Sequence, residues 1–165
     1  MIKAVKPFNR TCAGYAHSNN CEYYQCFEER FPCGEKYWMK VWGYKYCERL
    51  TKHLQNFDSV GQRLVLHIKK CLFKKFSNAR YYNMNEINCN QLKTSAYRLL
   101  YECYTENRLF CDAYDSNRNC FQELIDNNER HDYQAMKTMI GVANKCHPKK
   151  INLLQRSTEK CQIIV

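Results

Sequence analysis

The chain has 165 residues, 12 of them cysteine, and a formal net charge of +10 at pH 7. A chain of this length can bury a core without covalent help, so the cysteines indicate an oxidising compartment in which disulfides persist. No apolar run approaches the roughly 18 residues of a membrane span, and no paired C-x2-C knuckles occur with histidines at zinc-ligand spacing. We therefore expect no membrane span, no bound metal and no cofactor.

The first feature along the chain is Asn9-Arg10-Thr11, an N-x-[ST] acceptor for an N-linked glycan. We interpret this stretch as an N-terminal arm, which makes Asn9 the predicted glycosylation site. Residues 22–31 follow with the pattern of a short helix that ends before Pro32-Cys33-Gly34. Strand signals are nearly absent, and only five glycines and three prolines interrupt the chain. This pattern predicts an all-α fold.

Residues 35–43 contain both tryptophans, and we interpret them as an ordered loop before a second helix over residues 44–56. Aromatic side chains are favoured as interface anchors because they bury a large area with few rotatable bonds. Packing over the neighbouring disulfides is the alternative interpretation. The partner-binding hypothesis names four side chains: Tyr37, Trp38, Trp42 and Tyr44.

The clearest helix is predicted over residues 59–76, where Ser59 and Gln62 have the spacing of an S-x-x-Q capping box. Its apolar positions repeat along one helical face, which must be buried. They are Val60, Leu64, Ile68, Cys71, Leu72 and Phe76.

Cationic residues recur on the opposite side of this helix at i, i+4, i+7 and i+11, flanked by Lys69 and Lys75. Cations fixed on a rigid rod attract an anion with little loss of ordering entropy, so this stripe is a candidate site for a polyanion such as a sulfated glycan or an acidic protein surface. A solvated helix face is the alternative. The basic stripe consists of Arg63, His67, Lys70 and Lys74.

The second half of the chain continues the helical pattern. Residues 81–88 read as a loop, and Asn88 can cap a helix with Gln91 three residues further on. Two more helices are expected, over residues 109–125 and 129–144. The last is predicted to bury a face formed by Tyr133, Met136, Ile140 and Ala143.

Catalytic patterns are weak. The chain has five histidines, and His131 adjoins Asp132, but neighbours on a helix point about 100° apart and do not form a dyad. Neither G-x-S-x-G nor H-E-x-x-H occurs. With the thiols expected in pairs, a cysteine nucleophile is not expected either. We predict that the protein is not an enzyme and has no catalytic residue.

Cysteine order and two local motifs carry a family resemblance. The motifs are Phe57-Asp58-x-x-Gly61 and Glu102-Cys103-Tyr104. The matching cysteines are Cys12, Cys21, Cys26, Cys33, Cys47, Cys71, Cys89, Cys103, Cys111 and Cys146. Over most of its length the chain resembles the stanniocalcins, which are secreted, disulfide-rich helical glycoproteins. The resemblance implies a disulfide-stapled helical bundle.

The resemblance also implies a pairing. It joins Cys12 with Cys26, Cys21 with Cys47, Cys33 with Cys89, Cys71 with Cys103, and Cys111 with Cys146. Cys120 and Cys161 remain. If they pair within one chain, the protein is a monomer, which we favour; if Cys161 acts like the family's late cysteine, it links two chains into a homodimer. We expect a stanniocalcin-like domain over residues 1–147 and a basic C-terminal tail over residues 148–165, tethered by Cys161.

These observations predict a secreted, extracellular protein that acts by binding. The expected role is a hormone-like signalling ligand or an inhibitor-type partner of an extracellular protein or receptor, with a sulfated glycan as a further partner. Nucleic acid is not expected as a partner in that compartment. The alternative is a secreted effector, such as a toxin, a host-interaction protein or a gamete-surface protein, on the same scaffold. The site of expression would distinguish the two.

Overall fold

The computed structural model describes residues 1–125 and 129–146. Helices dominate these residues, which confirms the predicted all-α, disulfide-stapled class. The α-helices are α1 (Arg10–His17), α2 (Glu22–Arg30), α3 (Tyr46–Lys52), α4 (Ser59–Asn78), α5 (Cys89–Thr105), α6 (Leu109–Glu123) and α7 (Tyr133–Cys146). A π-helix spans Met39–Lys45, and 3-10 turns span Leu54–Asn56, Tyr81–Asn83 and Glu129–His131. Two short strands, β1 (Ile2–Lys3) and β2 (Glu86–Ile87), pair antiparallel.

The residues cluster into two compact units, each built from separated stretches of sequence. Unit 1 comprises Met1–Glu48 and Lys69–Leu99, and unit 2 comprises Arg49–Ile68 and the described residues from Leu100 onward. The boundaries fall inside α3, α4 and α5. The single domain expected over residues 1–147 stays a prediction, and the tail over residues 148–165, with Cys161, lies outside the described residues.

Aromatic rings form the core of unit 1. Tyr24 on α2 packs with its ring centroid 5.0 Å from that of Phe73 on α4, and Trp38 lies 5.5 Å from Phe76 and 6.3 Å from Tyr97. All five side chains are buried. Aromatic pairs at such distances each contribute about 0.5–1.5 kcal/mol beyond the area that they bury.

The prediction of a loop over residues 35–43 is wrong in its second half. From Met39 the chain forms a π-helix that runs directly into α3, with Met39, Trp42 and Gly43 buried. Their i, i+3, i+4 spacing is that of one helical face. A side chain at Gly43 would place its Cβ 2.7 Å from the ring of Tyr24, so only glycine permits this close approach of the two helices. The helix predicted over residues 44–56 is correspondingly divided into α3 and a 3-10 turn.

The two predicted helix caps have different outcomes. At α4 the cap is Asp58 and not Ser59, because the Gly61 amide donates to Asp58 Oδ1 at 2.8 Å. The predicted capping box was therefore one residue out of register. At α5 the prediction is confirmed, since the Gln91 amide donates to Asn88 Oδ1 at 3.1 Å. Both contacts satisfy an amide that has no partner within its helix.

Buried Arg30 fastens the start of the chain to the turn before β2. Its guanidinium donates to the carbonyl oxygens of Tyr82 (3.1 Å), Met84 (2.9 Å) and Lys6. Arg30 is only 4% exposed, and a buried cation is tolerated only where its donors are satisfied. The sequence did not indicate this role.

In unit 2, α6 contributes aromatic rings to the core. Phe121 lies 4.9 Å from Phe57, and Phe110 lies 5.1 Å from Tyr114. The disulfide Cys111–Cys146 joins α6 to the end of α7 and fixes the pair of helices covalently.

The buried face of α7 is not the predicted one. Tyr133 is 79% exposed and Ile140 is 43% exposed, whereas Ala135 and Val142 are buried together with Ala143. Small residues allow close helix packing, as the approach of the Tyr101 ring to within 3.3 Å of a hypothetical Cβ on Gly141 shows. The prediction followed helical periodicity alone, and of its four residues only Ala143 is buried, while Met136 is half-buried.

A polar junction joins the start of α4 to α6 within unit 2. Asn117 is 2% exposed; its side-chain oxygen accepts from the Asp58 amide at 2.9 Å, and its nitrogen donates to Asp58 Oδ1 at 2.9 Å. Ser116 also donates to Asp58 Oδ2 at 2.6 Å. A Cβ on Gly61 would lie 2.6 Å from Asn117 Oδ1, so Gly61 must lack a side chain. This contact gives the Phe57-Asp58-x-x-Gly61 motif a physical role.

Candidate functional site

The basic stripe lies on one continuous helix, α4 (Ser59–Asn78). At 100° and 1.5 Å per residue, its four positions fall within an arc of about 60° and extend about 16 Å along the helix axis. Arg63, Lys70 and Lys74 are exposed. None of the three forms an ion pair within the part of the chain that the structure describes. Their charges are therefore available to a ligand.

His67, the fourth predicted member of the stripe, is in a different environment. It is half-buried, with Nε2 3.8 Å from Glu106 Oε2 and 3.4 Å from Asn107 Nδ2. A carboxylate this close reduces the attraction of a protonated imidazole for an external anion. The stripe is therefore a set of three exposed cations, and His67 lies at its edge.

Two further residues, Lys69 and Leu66, lie beside the stripe on α4. Lys69, predicted to flank it, is half-buried; burial lowers the pKa of its ammonium group, and nearby Glu48 opposes this shift. Leu66 is 54% exposed, and its position on α4 places it about 60° around the axis from Arg63. The exposed cations thus have an apolar neighbour that can contact the carbon skeleton of a ligand.

The structure contradicts the aromatic partner-binding surface. Tyr37, Trp38 and Trp42 are all less than 10% exposed, and Tyr44 is half-buried. The Tyr37 hydroxyl donates to the Cys89 carbonyl oxygen at 2.9 Å. Aromatic side chains suit a core and an interface equally well by composition. The π-helix buries Trp42, whereas Tyr37 and Trp38 are buried just before it begins. Tyr37, Trp38 and Trp42 are core residues, and Trp38 packs against other rings of the core.

Asn9, the predicted glycosylation site, caps α1. Its Oδ1 accepts from the amides of Thr11 (2.8 Å) and Cys12 (3.2 Å), so the acceptor triplet begins a helix and not a loose arm. The Asn9 side chain is exposed, and its amide nitrogen makes no hydrogen bond with described residues. That nitrogen is the atom to which a glycan attaches. Glycosylation of Asn9 stays a prediction.

Every described cysteine is disulfide-bonded. The pairs Cys12–Cys26, Cys21–Cys47, Cys33–Cys89 and Cys111–Cys146 are those that the family resemblance implies. Cys71, Cys103 and Cys120 are also bonded; the pairing of Cys71 with Cys103 stays a prediction, and that of Cys120 with Cys161 involves a residue outside the described ranges.

No family model matches this chain, and no curated protein or solved structure is significantly similar to it. Within residues 1–125 and 129–146, no helix combines the length and the hydropathy that a bilayer span requires. Fold and site together define a disulfide-stapled helical protein with three exposed cations along one helix. The stanniocalcin relationship is a proposal that rests on cysteine order and the two local motifs.

Proposed function

We propose that this protein is a secreted, stanniocalcin-like binding protein that acts on an extracellular protein partner or receptor and engages a sulfated glycan through α4. The observation that carries the glycan contact is the exposure of Arg63, Lys70 and Lys74 on one side of one helix, with no ion pair to a described residue. The other part of the proposal, action by binding in an oxidising compartment, is supported by the disulfide-bonded state of every described cysteine.

A rigid helix is a suitable platform for a linear polyanion. The three cations are spaced over about 16 Å, and their backbone is already ordered, so binding immobilises only side chains. The net charge of +10 adds a long-range attraction that steers an anionic chain toward the protein. Leu66 supplies an apolar contact at the side of the cations. This combination favours a polymer of sulfated sugars over a lone inorganic anion.

The test compares two variants of equal charge on a heparin column. The first is Arg63→Gln, Lys70→Gln and Lys74→Gln combined; the matched control replaces three exposed cations of unit 2, namely Lys52, Lys137 and Lys145, with glutamine. We expect the stripe variant to elute at clearly lower salt than the control, because specific contacts add to the general attraction. Elution of both should fall with salt, since screening acts within about 8–10 Å at physiological ionic strength.

Equal elution of the two variants would contradict the proposal and return the stripe to a solvated helix face. Circular dichroism of each variant checks that the fold is retained. The partner-binding part is tested separately by a pull-down from extracellular extract with the stripe variant as bait. Because this bait has lost its glycan contact, a protein that it still captures is recognised through another surface. If neither the stripe variant nor the wild type captures a protein, the proposal of a protein partner is contradicted.

A further inference from the structure

Unit 1 contains a cavity of about 300 Å³ between α1, α2, the end of α4 and the 3-10 turn at Tyr81–Asn83. This volume is at the lower end of the range for small-molecule sites. Its apolar lining comes from Ala13 and Ala16 on α1 and from Tyr23, Phe76 and Tyr82. Its lining does not include a residue of the basic stripe, and the sequence analysis singled out Phe76 there only as part of the apolar face of α4.

An aromatic ring stands at this cavity without being fully packed. Phe8 is 45% exposed, and its ring centroid lies 5.7 Å from that of Tyr82. Nearly half of this large apolar side chain is therefore open to solvent. An aromatic or branched apolar group in the cavity would cover the exposed part of the ring.

The polar groups that line the cavity are neutral or cationic. Arg80 and His17 are exposed, and neither has an ion-pair partner among the described residues. The lining contains no acidic residue. Arg80 has a φ of 54°, in the left-handed region that residues other than glycine rarely adopt. An exposed guanidinium that lines an apolar cavity is suited to a carboxylate or sulfonate group.

Tyr23 also contributes to the wall of the cavity. Tyr23 is 2% exposed, and its hydroxyl has no hydrogen-bond partner among the described residues. The hydroxyl oxygen is closed to solvent, so the contribution of Tyr23 to the cavity is its ring.

We propose that this cavity binds a small amphipathic anion, namely an aromatic or branched apolar group that carries a carboxylate or sulfonate. The apolar part occupies the space beside Ala13 and Phe8, and the anionic group meets Arg80 at the mouth. The site is independent of the polyanion site on α4, because it recognises one apolar group together with one charge and not a row of charges.

The probe is 1-anilinonaphthalene-8-sulfonate, an aromatic sulfonate whose fluorescence rises when it leaves water. We expect saturable binding to the folded protein at one site, measured by fluorescence and by isothermal titration calorimetry. Ala13→Leu places a larger side chain in the cavity and should weaken binding by more than about tenfold, the loss expected when an apolar group is excluded. Ala79→Leu, a matched change at an exposed residue outside the cavity, should leave the affinity unchanged.

A second pair of variants tests the charge without altering the core. Arg80→Gln should weaken binding by about threefold, as expected for one exposed ion pair. Arg63→Gln removes the same charge elsewhere and should have no effect. Three results would each overturn the proposal. The first is wild-type affinity in both Ala13→Leu and Arg80→Gln. The others are equal losses of affinity in Arg80→Gln and Arg63→Gln, and binding that never saturates. Competition by sodium sulfate as strong as that by benzenesulfonate would also overturn it, because the apolar part would then contribute nothing.

Discussion

The core of unit 1 is built on aromatic rings, whereas the helix junction of unit 2 is built around one buried amide side chain. In unit 1, Trp38 and Tyr24 are nearly inaccessible to solvent, and their neighbours are other rings. In unit 2, Asn117 is equally buried and makes hydrogen bonds to both the backbone and the side chain of Asp58. We therefore expect unit 1 to be sensitive to lost volume, and unit 2 to changes in hydrogen-bond geometry.

The units also differ in their described cross-links. Cys12–Cys26, Cys21–Cys47 and Cys33–Cys89 close within unit 1, and Cys111–Cys146 closes within unit 2. Each link stabilises the fold by restricting the unfolded chain. Three of the four cross-links whose pairing is described thus lie in the unit that contains the short helices α1 and α2, which provide little stability on their own.

The largest expected effect is loss of the central ring of unit 1. Trp38→Ala should lower the free energy of unfolding by about 5 kcal/mol, the upper end of the range for a large buried ring. Urea unfolding followed by circular dichroism measures this loss. The control is Tyr133→Ala, which truncates an aromatic residue of unit 2 that is 79% exposed and should change stability by less than about 0.5 kcal/mol. Similar effects of the two variants would contradict the aromatic-core assignment.

Removal of one long-range disulfide should lower the free energy of unfolding by nearly as much. Cys33 and Cys89 are 56 residues apart, so Cys33→Ser combined with Cys89→Ser should reduce the free energy of unfolding by about 4 kcal/mol in the chain-entropy model. Hydrogen exchange should accelerate mainly in unit 1. The matched variant Cys111→Ser with Cys146→Ser should instead accelerate exchange in α6 and α7. If exchange rises uniformly in both variants, the units do not open independently.

The polar junction of unit 2 should be sensitive to one added methyl group. Gly61→Ala would place a Cβ against the Asn117 side chain and should cost about 1–3 kcal/mol, as expected for overpacking in a tight site. Gly14→Ala is the control, because a Cβ at this α1 glycine meets no atom within 4 Å; it should be neutral or slightly stabilising. A thermal-unfolding midpoint unchanged in Gly61→Ala would refute the close contact.

The two units should also differ, by a smaller amount, in how their stability depends on pH. In unit 1 the group concerned is Glu28. Burial raises the pKa of this carboxyl group, and hydrogen bonds from the Gly34 and Cys33 amides together with nearby Lys40 offset the shift only in part. A carboxyl group with a raised folded-state pKa destabilises the fold once it ionises. Glu28→Gln should therefore raise stability at pH 7 by up to about 1 kcal/mol. The gain should disappear below about pH 4, near the unfolded-state pKa.

Asp58 in unit 2 should show the opposite sign. Partial burial acts to raise its pKa, but hydrogen bonds from Ser116, Gly61 and other donors outweigh it, so the pKa is lowered. A lowered pKa stabilises the fold above the unfolded-state value of about 3.9, and this contribution is lost as the pH falls through the folded-state pKa. Asp58→Asn, which retains a capping oxygen, should lower the urea midpoint at pH 7 and have little effect near pH 2. A loss that persists in acid would point to geometry and not to charge.

The sequence predicted those parts of the fold that depend on local patterns. The apolar face of α4 and the Asn88 cap follow from helical periodicity and capping chemistry, and both are present. The cap at α4 was misplaced because Asp58 and Ser59 are adjacent and both can cap, so only the position of the Gly61 amide decides between them. The helix α1 was missed because its eight residues are too few to show a clear period.

The errors at the candidate site have a common physical cause. Trp38 and Trp42 were predicted at a partner surface but are buried. Ile140 was predicted on a buried face but is exposed. Hydrophobicity indicates that a residue can be buried, but only the packing of distant segments determines which apolar residues are covered. The cavity beside Tyr23 and the clamp around Arg30 bring together residues from distant segments, and no local pattern predicts such meetings.

The order of two disulfides has a consequence for how the protein must be made. Cys12–Cys26 and Cys21–Cys47 interleave, since Cys21 lies inside the first loop and Cys26 inside the second. Loop-closure entropy favours the shortest loops, so an unfolded chain that oxidises at random joins Cys21 to Cys26 before either native pair. Such a pair is incorrect and must be reopened by thiolate attack.

The helix α2 limits this mispairing if it forms first. Cys21 immediately precedes α2 and Cys26 lies within it; five residues of helix turn their side chains about 140° apart. If α2 forms early, the side chains of Cys21 and Cys26 point apart and do not pair. If α2 forms late, the incorrect pair is already in place. The yield of native protein then depends on a disulfide isomerase or a glutathione buffer that keeps exchange running over seconds to hours, and rapid air oxidation of the unfolded chain should give stable, scrambled isomers.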